Sequence, residues 1–162
     1  MCIYSQRKSC SSSEVAAMIE GVLRHETEIE VEKNDVDTHG QSEVGFAFCA
    51  LLRFELLPRL KNLKKQRLYR PNHKGDGAPY ANIRAILTRP IQWELIEAPF
   101  DEMIKLATAL RLGTADAESI LRRFTRSNVQ HPTYKALAEL SKALKTIFLC
   151  DYLRLESLRR RP

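Results

Sequence analysis

Asp35 and Asp37 stand one residue apart in the stretch EVEKNDVDTHGQSE, residues 30–43, just before His39 and Gly40. Carboxylates in that spacing can do chemistry in two ways. At the end of a strand, beside a glycine turn, Asp37 can project from a rigid element and leave room for a divalent cation and a phosphate. As i, i+2 neighbours on a strand, the two point the same way, and their repulsion favours either a bound cation or exposure of one of them to water. A structural reading competes with both, because Asn and Asp in NDVDTHG are ordinary turn and capping residues. On residue types alone the turn is the stronger reading. His25 and His39 are equally open between ligand and surface roles.

Other chemistry-bearing residues narrow the field. Cys2, Cys10, Cys49 and Cys150 form no C-x-x-C pair and no histidine spacing suited to zinc, which argues against a metal knot or a disulfide framework. Cys49 and Cys150 lie inside apolar runs and read as core. The glycines of RPNHKGDGAPY are too irregularly placed for a phosphate-binding loop. Lys and Arg exceed Asp and Glu by 26 to 20, a net charge of +6, which allows an anionic partner without demanding one. Arg122, Arg123 and Arg126, with the terminal arginines of LRLESLRRRP, are the candidate phosphate contacts; a solvated helix face is the plainer account of them.

The elements that must position these residues are mostly helical. Val15, Met18, Ile19, Val22 and Leu23 recur at the spacing of one helix face behind three serines that can cap it. EIEVEKNDVDT predicts a strand from about Glu28 to Val36. Ser42 can then cap a buried helix through EVGFAFCALLRF, and FELLPRL reads as a second strand with Pro58 at its end. Residues 61–90 read as an irregular loop region. Phe100, Met103, Ile104, Ala107 and Leu110 form a helical stripe that stops at Gly113. Thr114 can start a further helix, and a long last helix follows Pro132 with Leu137, Leu140, Leu144 and Ile147 as a core stripe. At 162 residues with 44% apolar and 28% charged residues, one compact α/β, helix-rich domain is expected. No apolar run approaches a membrane span and no signal peptide is evident, so the expected location is cytoplasmic.

Two enzyme families share features with the opening stretch. Asp-x-Asp after a strand resembles the nucleophile motif of haloacid-dehalogenase-type phosphatases, but there the preceding strand is strongly apolar, whereas here it reads EVEKN. A much longer likeness runs from about Ile3 to Arg160. EVAAMIEGVLRHETEIEVEKNDVDTHGQSEVGFAFCALLRFELLPRLKNLKKQRLYRP, then IQWELI, LATALRLGTADAESILRRFTR, HPTYKALAEL and KTIFLCDYLRLESLRR, in that order, resemble the catalytic region of the Tn-three family of replicative transposases.

That resemblance implies a DDE enzyme with an RNase-H-like fold, in which two aspartates and a glutamate hold a pair of magnesium ions for phosphoryl transfer on DNA. The family's second aspartate sits in a (T/V)-D-(T/S)-x-G motif directly after a strand. VDTHG matches it and assigns the catalytic, metal-binding role to Asp37, while Asp35 falls on no ligand position. The first aspartate and the glutamate belong to segments outside the matched stretch. The expectation is therefore an incomplete RNase-H-like fold: a core remnant in residues 1–60, an irregular loop in 61–90 and a helical insertion in 91–162. Such a piece is expected to be inactive alone, with no tightly bound Mg2+. Its expected partners are transposon-end DNA, a second copy, or intact transposase subunits. The alternative is a non-catalytic basic module that binds DNA or interacts with transposase.

Overall fold

His131 and Pro132 start the longest element. Proline suits the first turn of a helix because its missing N–H would lack a partner there in any case, and His131 Nδ1 accepts the Thr133 N–H at 3.3 Å. The helix they open, α6 (Pro132–Arg154), is about 35 Å long and packs against five of the other elements. The computed structural model describes residues 14–24, 33–36, 44–58, 60, 62–71, 78–124 and 131–159.

In chain order, α1 (Glu14–Leu23) is followed by β1 (Lys33–Val36), α2 (Gly45–Leu51), β2 (Glu55–Pro58), β3 (Leu68–Arg70) and β4 (Leu87–Pro90). Then come α3 (Trp93–Glu97), α4 (Phe100–Arg111), α5 (Ala117–Arg123), α6 and α7 (Glu156–Arg159). β1 and β2 pair in parallel, with Val36 opposite Pro58, and α2 is the crossover that a parallel pair requires. β3 and β4 form a second parallel pair, with Leu68 opposite Leu87 and a register shift before Arg70 meets Pro90. Two-stranded pairs are marginal in water, so both depend on the helices beside them.

The core forms where α2 lies against α6. The sequence GFAFC is apolar all round, and a helix of that kind is stable only when enclosed; Val44 to Cys49 are all buried. Phe46 meets Phe148 at 5.7 Å between ring centroids, and Phe48 meets Phe124 at 6.1 Å. Each buried phenylalanine contributes about 2 kcal/mol by removal of apolar surface from water. Burial also pushes the Cys49 thiol up to about 12, which makes it an inert apolar group.

The ends of α2 are satisfied by other helices. Val44 offers no side-chain cap, and the Ala47 N–H donates instead to Ser141 Oγ of α6 at 3.0 Å. At the other end the chain reverses through Arg53, whose φ of 66° lies in the left-handed region. The Arg53 N–H reaches Ala50 O and the Phe54 N–H reaches Cys49 O, the two bonds of a Schellman turn. Arg111 of α4 then donates to Leu52 O at 2.8 Å. α4 ends in the same turn type, with Gly113 at φ 68°.

Several expectations are met and several are corrected. The structure is a helix-rich α/β arrangement, and α1, β2, α4 with its stop at Gly113, and α6 after Pro132 all form. Of the expected strand, residues 33–36 are seen; residues 28–32 and the proposed cap Ser42 lie outside the described residues. Residues 61–90 are not simply irregular, because they carry β3 and β4. α5 is capped by Asp116, whose Oδ2 accepts the Ser119 N–H at 2.8 Å, rather than begun at Thr114. Ile147 is 61% exposed, so the stripe on α6 leaves the core at its fourth member. A 3.5-residue repeat drifts around a 3.6-residue helix, and Phe148 and Leu149 take the buried face instead. Cys150, expected in the core, is exposed, because it lies about 100° further round the helix from the buried Leu149.

Glycine replacement gives a direct check of this backbone. A Cβ added at Gly21 or at Gly113 meets nothing within 4 Å, so packing is neutral at both sites. Gly21→Ala, inside α1, should stabilise the fold by about 0.5–1 kcal/mol, and Gly113→Ala, at positive φ, should destabilise it by about 1 kcal/mol. Arg53→Gly should stabilise by about 1 kcal/mol, since it relieves the same conformation. Urea midpoints of the three variants measure this; a Gly113→Ala protein as stable as the parent would contradict the assigned turn.

Candidate functional site

β1 ends at Val36, so residue 37 leaves the carboxyl end of a parallel strand pair. In open α/β sheets that edge is where ligands collect, because the loops there diverge and leave a crevice. Asp37 itself, with His39 and Gly40, lies outside the described residues. Asp35 sits within β1, opposite Leu57. α2 fixes the edge from one side: its Schellman turn aims the chain into β2, and Ser141 anchors its start.

Beside β2 lies an open groove of about 690 Å³, between α2, β2, α6 and α7. Its lining is largely apolar, with Phe46, Phe54, Leu57 and Phe148 among the contributors, and Arg53, Glu55 and Asp151 supply charge. Among the described residues, no three His, Cys, Asp or Glu side chains are placed to hold a metal ion.

The candidate arginines divide. Arg122 is exposed on α5 and donates from Nε to Glu118 Oε1 at 2.9 Å, one helical turn away, so its charge is partly answered within its own helix. Arg123 is also exposed, and Arg126 lies outside the described residues. The carboxylates on the later helices are engaged locally: Glu102 pairs with Lys105 at 2.7 Å, and Asp151 with Arg154 at 3.1 Å. Where α1 meets α5, the adjacent Asp116 carboxylate and burial raise the pKa of Glu20. Asp116 is held low, by its interaction with Glu20 and by the Ser119 N–H. Glu20 is thus the member of the pair that takes up a proton.

The strongest polar constellation is one that sequence reading missed. Glu139, 3% exposed in the middle of α6, accepts from Arg89 of β4 at 2.6 Å and from Lys142 at 2.7 Å, and takes the Gln92 N–H at the start of α3 at 3.3 Å. The Arg89 guanidinium and the Lys142 ammonium both stand over the Tyr69 ring, at 5.8 and 5.9 Å. Thr146, further along α6, accepts the Tyr69 N–H at 3.2 Å. Burial pushes the Glu139 carboxyl up, but its hydrogen bonds to Lys142 and Arg89 outweigh this and hold it below its ordinary value. The available signal was the i, i+3 pair of Glu139 and Lys142 inside a helix that is otherwise rich in apolar residues, with Thr146 following on the same face.

A carboxyl whose pKa is lower in the folded state stabilises the fold fully above its unfolded value of 4.5. It loses that stabilisation as pH falls through the folded value. Glu139→Gln should therefore be less stable than the parent at neutral pH by about 2–3 kcal/mol. The gap should narrow as pH is lowered through the carboxylate range, which denaturant titrations at a series of pH values will show. A gap that stays constant with pH would mean that Glu139 contributes by packing rather than by charge.

Comparison with known proteins covers the whole chain. The family model described as Tn3 transposase DDE domain matches residues 1–162. The chain is 36% identical over 149 residues to the transposase for insertion sequence element IS1071 in transposon Tn5271 of Comamonas testosteroni, covering 92% of this chain and 15% of that protein. Against the transposase for transposon Tn1546 of Enterococcus faecium it is 29% identical, over 98% of this chain and 16% of that protein. Against the transposase for transposon Tn21 of Escherichia coli it is 33% identical, over 89% of this chain and 14% of that protein. The chain thus spans about 15% of the length of these relatives. No solved structure matches it.

Proposed function

The chain belongs to the Tn3 transposase DDE domain family, and from that premise we propose that it is part of the catalytic domain of a DNA transposase. In this reading Asp37 is one of three carboxylate ligands to catalytic magnesium, and β1, α2 and β2 are a remnant of an RNase-H-like core. The parallel β1–β2 pair is the observation that carries it, because its carboxyl end leads directly into VDTHG. Such an edge is a rigid support of the kind a metal-dependent phosphoryl transfer needs.

The described residues do not by themselves fit a two-metal centre, since no three potential ligands among them converge. Magnesium keeps several waters and requires convergent oxygens for useful affinity, so a single Asp37 does not assemble the site. No catalytic step is assigned to these 162 residues alone. Transposon-end DNA and the other ligands belong, in this reading, to the parent enzyme, and a second copy or an intact transposase subunit is the protein partner. A role for Arg122, Arg123 and Arg126 in holding DNA phosphates is the alternative, non-catalytic reading, and the ion pair of Arg122 with Glu118 weakens it.

Incubation of the chain with transposon-end DNA and Mg2+ or Mn2+ should give no nicking above metal alone. Nicking or strand transfer by the chain, lost in Asp37→Ala, would show that these residues hold a complete site.

A further inference from the structure

The charge of the chain is concentrated in one place. Between Glu55 and Glu94 there are nine basic residues, Arg59, Lys61, Lys64, Lys65, Arg67, Arg70, Lys74, Arg84 and Arg89, against Asp76 alone. That surplus of eight exceeds the +6 of the whole chain, so everything outside this stretch is net acidic. The stretch is the one that folds as the β3–β4 layer, and the fold decides where its cations go.

Because β3 and β4 are parallel and Leu68 lies opposite Leu87, the segments that enter the two strands arrive at the same end of the pair. The 3-10 turn Leu63–Lys65 with Arg67 leads into β3, and Arg84 precedes β4. Lys64, Lys65, Arg67 and Arg84 are all exposed, and among the described residues none has a carboxylate partner. At the other end of β3, Arg70 is exposed, with its Nε held on Thr88 O at 3.1 Å. Beside it the Trp93 indole N–H donates to Pro71 O at 2.5 Å, while Trp93 remains 39% exposed. Arg89 differs from these: Glu139 engages it, so it braces the layer rather than facing a ligand.

We propose that the β3–β4 layer, through Lys64, Lys65, Arg67, Arg84 and Arg70, is a docking surface for the phosphate backbone of duplex DNA. Exposed cations at both ends of the strand pair, with an exposed, anchored aromatic ring beside Arg70, suit a polyanion, and the arrangement places charge without reading sequence. The choice of DNA as the polyanion rests on the family reading above. The placement of the surface does not, and it moves the contact away from α5, where the arginine charge is partly paired.

The test is fluorescence anisotropy with a labelled duplex of arbitrary sequence, about 30 base pairs long, with EDTA present so that neither Asp37 nor metal enters the result. The chain should bind with an affinity that falls steeply as salt is raised. The triple variant Lys64→Ala, Lys65→Ala, Arg67→Ala should weaken binding by at least about tenfold and reduce the slope of log affinity against log salt by about 3. Arg84→Glu, on the other strand's entry, should act in the same direction, and it keeps the test open if the triple variant folds poorly. Arg122→Ala with Arg123→Ala should stay within about twofold of the parent. The proposal fails if the parent shows no salt-dependent binding, if the α5 variant loses as much as the triple variant, or if polyglutamate competes as well as unlabelled DNA.

Discussion

Three polar side chains of α6, Glu139 and Thr146 on one face and Ser141 on the other, accept backbone N–H groups from elements 47 to 94 residues away. Ser141 takes Ala47 at the start of α2, Thr146 takes Tyr69 in β3, and Glu139 takes Gln92 at the start of α3. A buried backbone donor without a partner costs about 1–3 kcal/mol, and neither Val44 nor Gln92 caps the helix that follows it. The first turns of α2 and α3 and the strand β3 therefore depend on α6 being in register with them. A shift of α6 by one residue would move all three acceptors about 100° away from their donors.

The same helix holds the two parallel strand pairs against one support. Its Phe148 packs on Phe46 of α2, and α2 in turn joins β1 to β2. Its polar residues hold β3 and β4, so the surface that carries the cations is fixed by a buried carboxylate. Glu139 compensates Arg89 and Lys142, whereas Lys64, Lys65, Arg67 and Arg84 make no ion pair among the described residues.

Much of this was legible beforehand, and the physical basis of each success is local. The 3.6-residue spacing of Met103, Ala107 and Leu110 with Gly113 behind it identifies α4, because amphipathicity and a left-handed stop both act within a turn or two. Pro132 marks the start of α6 for the same reason. β3 and β4 were missed because three- and four-residue strands such as LYR and LTRP contain no alternation long enough to see, and their stability comes from α6. Cys150 and Ile147 were misplaced because an apolar run does not say which part of it faces the partner. The candidate site divides in the same manner: VDTHG is readable as a motif, whereas the Glu139 cluster requires residues 50 positions apart in sequence to meet.

By itself, then, the sequence determined the helix-rich class, the stop of α4, the start of α6 and the family, since all of these reside in periodicity, end signals and ordered likeness along the chain. Tertiary structure alone decided that Ser141 would cap a distant helix, that Glu139 would be ionised in the interior, that Arg53 would occupy a left-handed position without being glycine, and that Lys64, Lys65, Arg67 and Arg84 would come to the same end of a strand pair. The reason is the same in each case. Local sequence specifies which backbone groups and charges will need partners, but only packing across long separations specifies which partners they find.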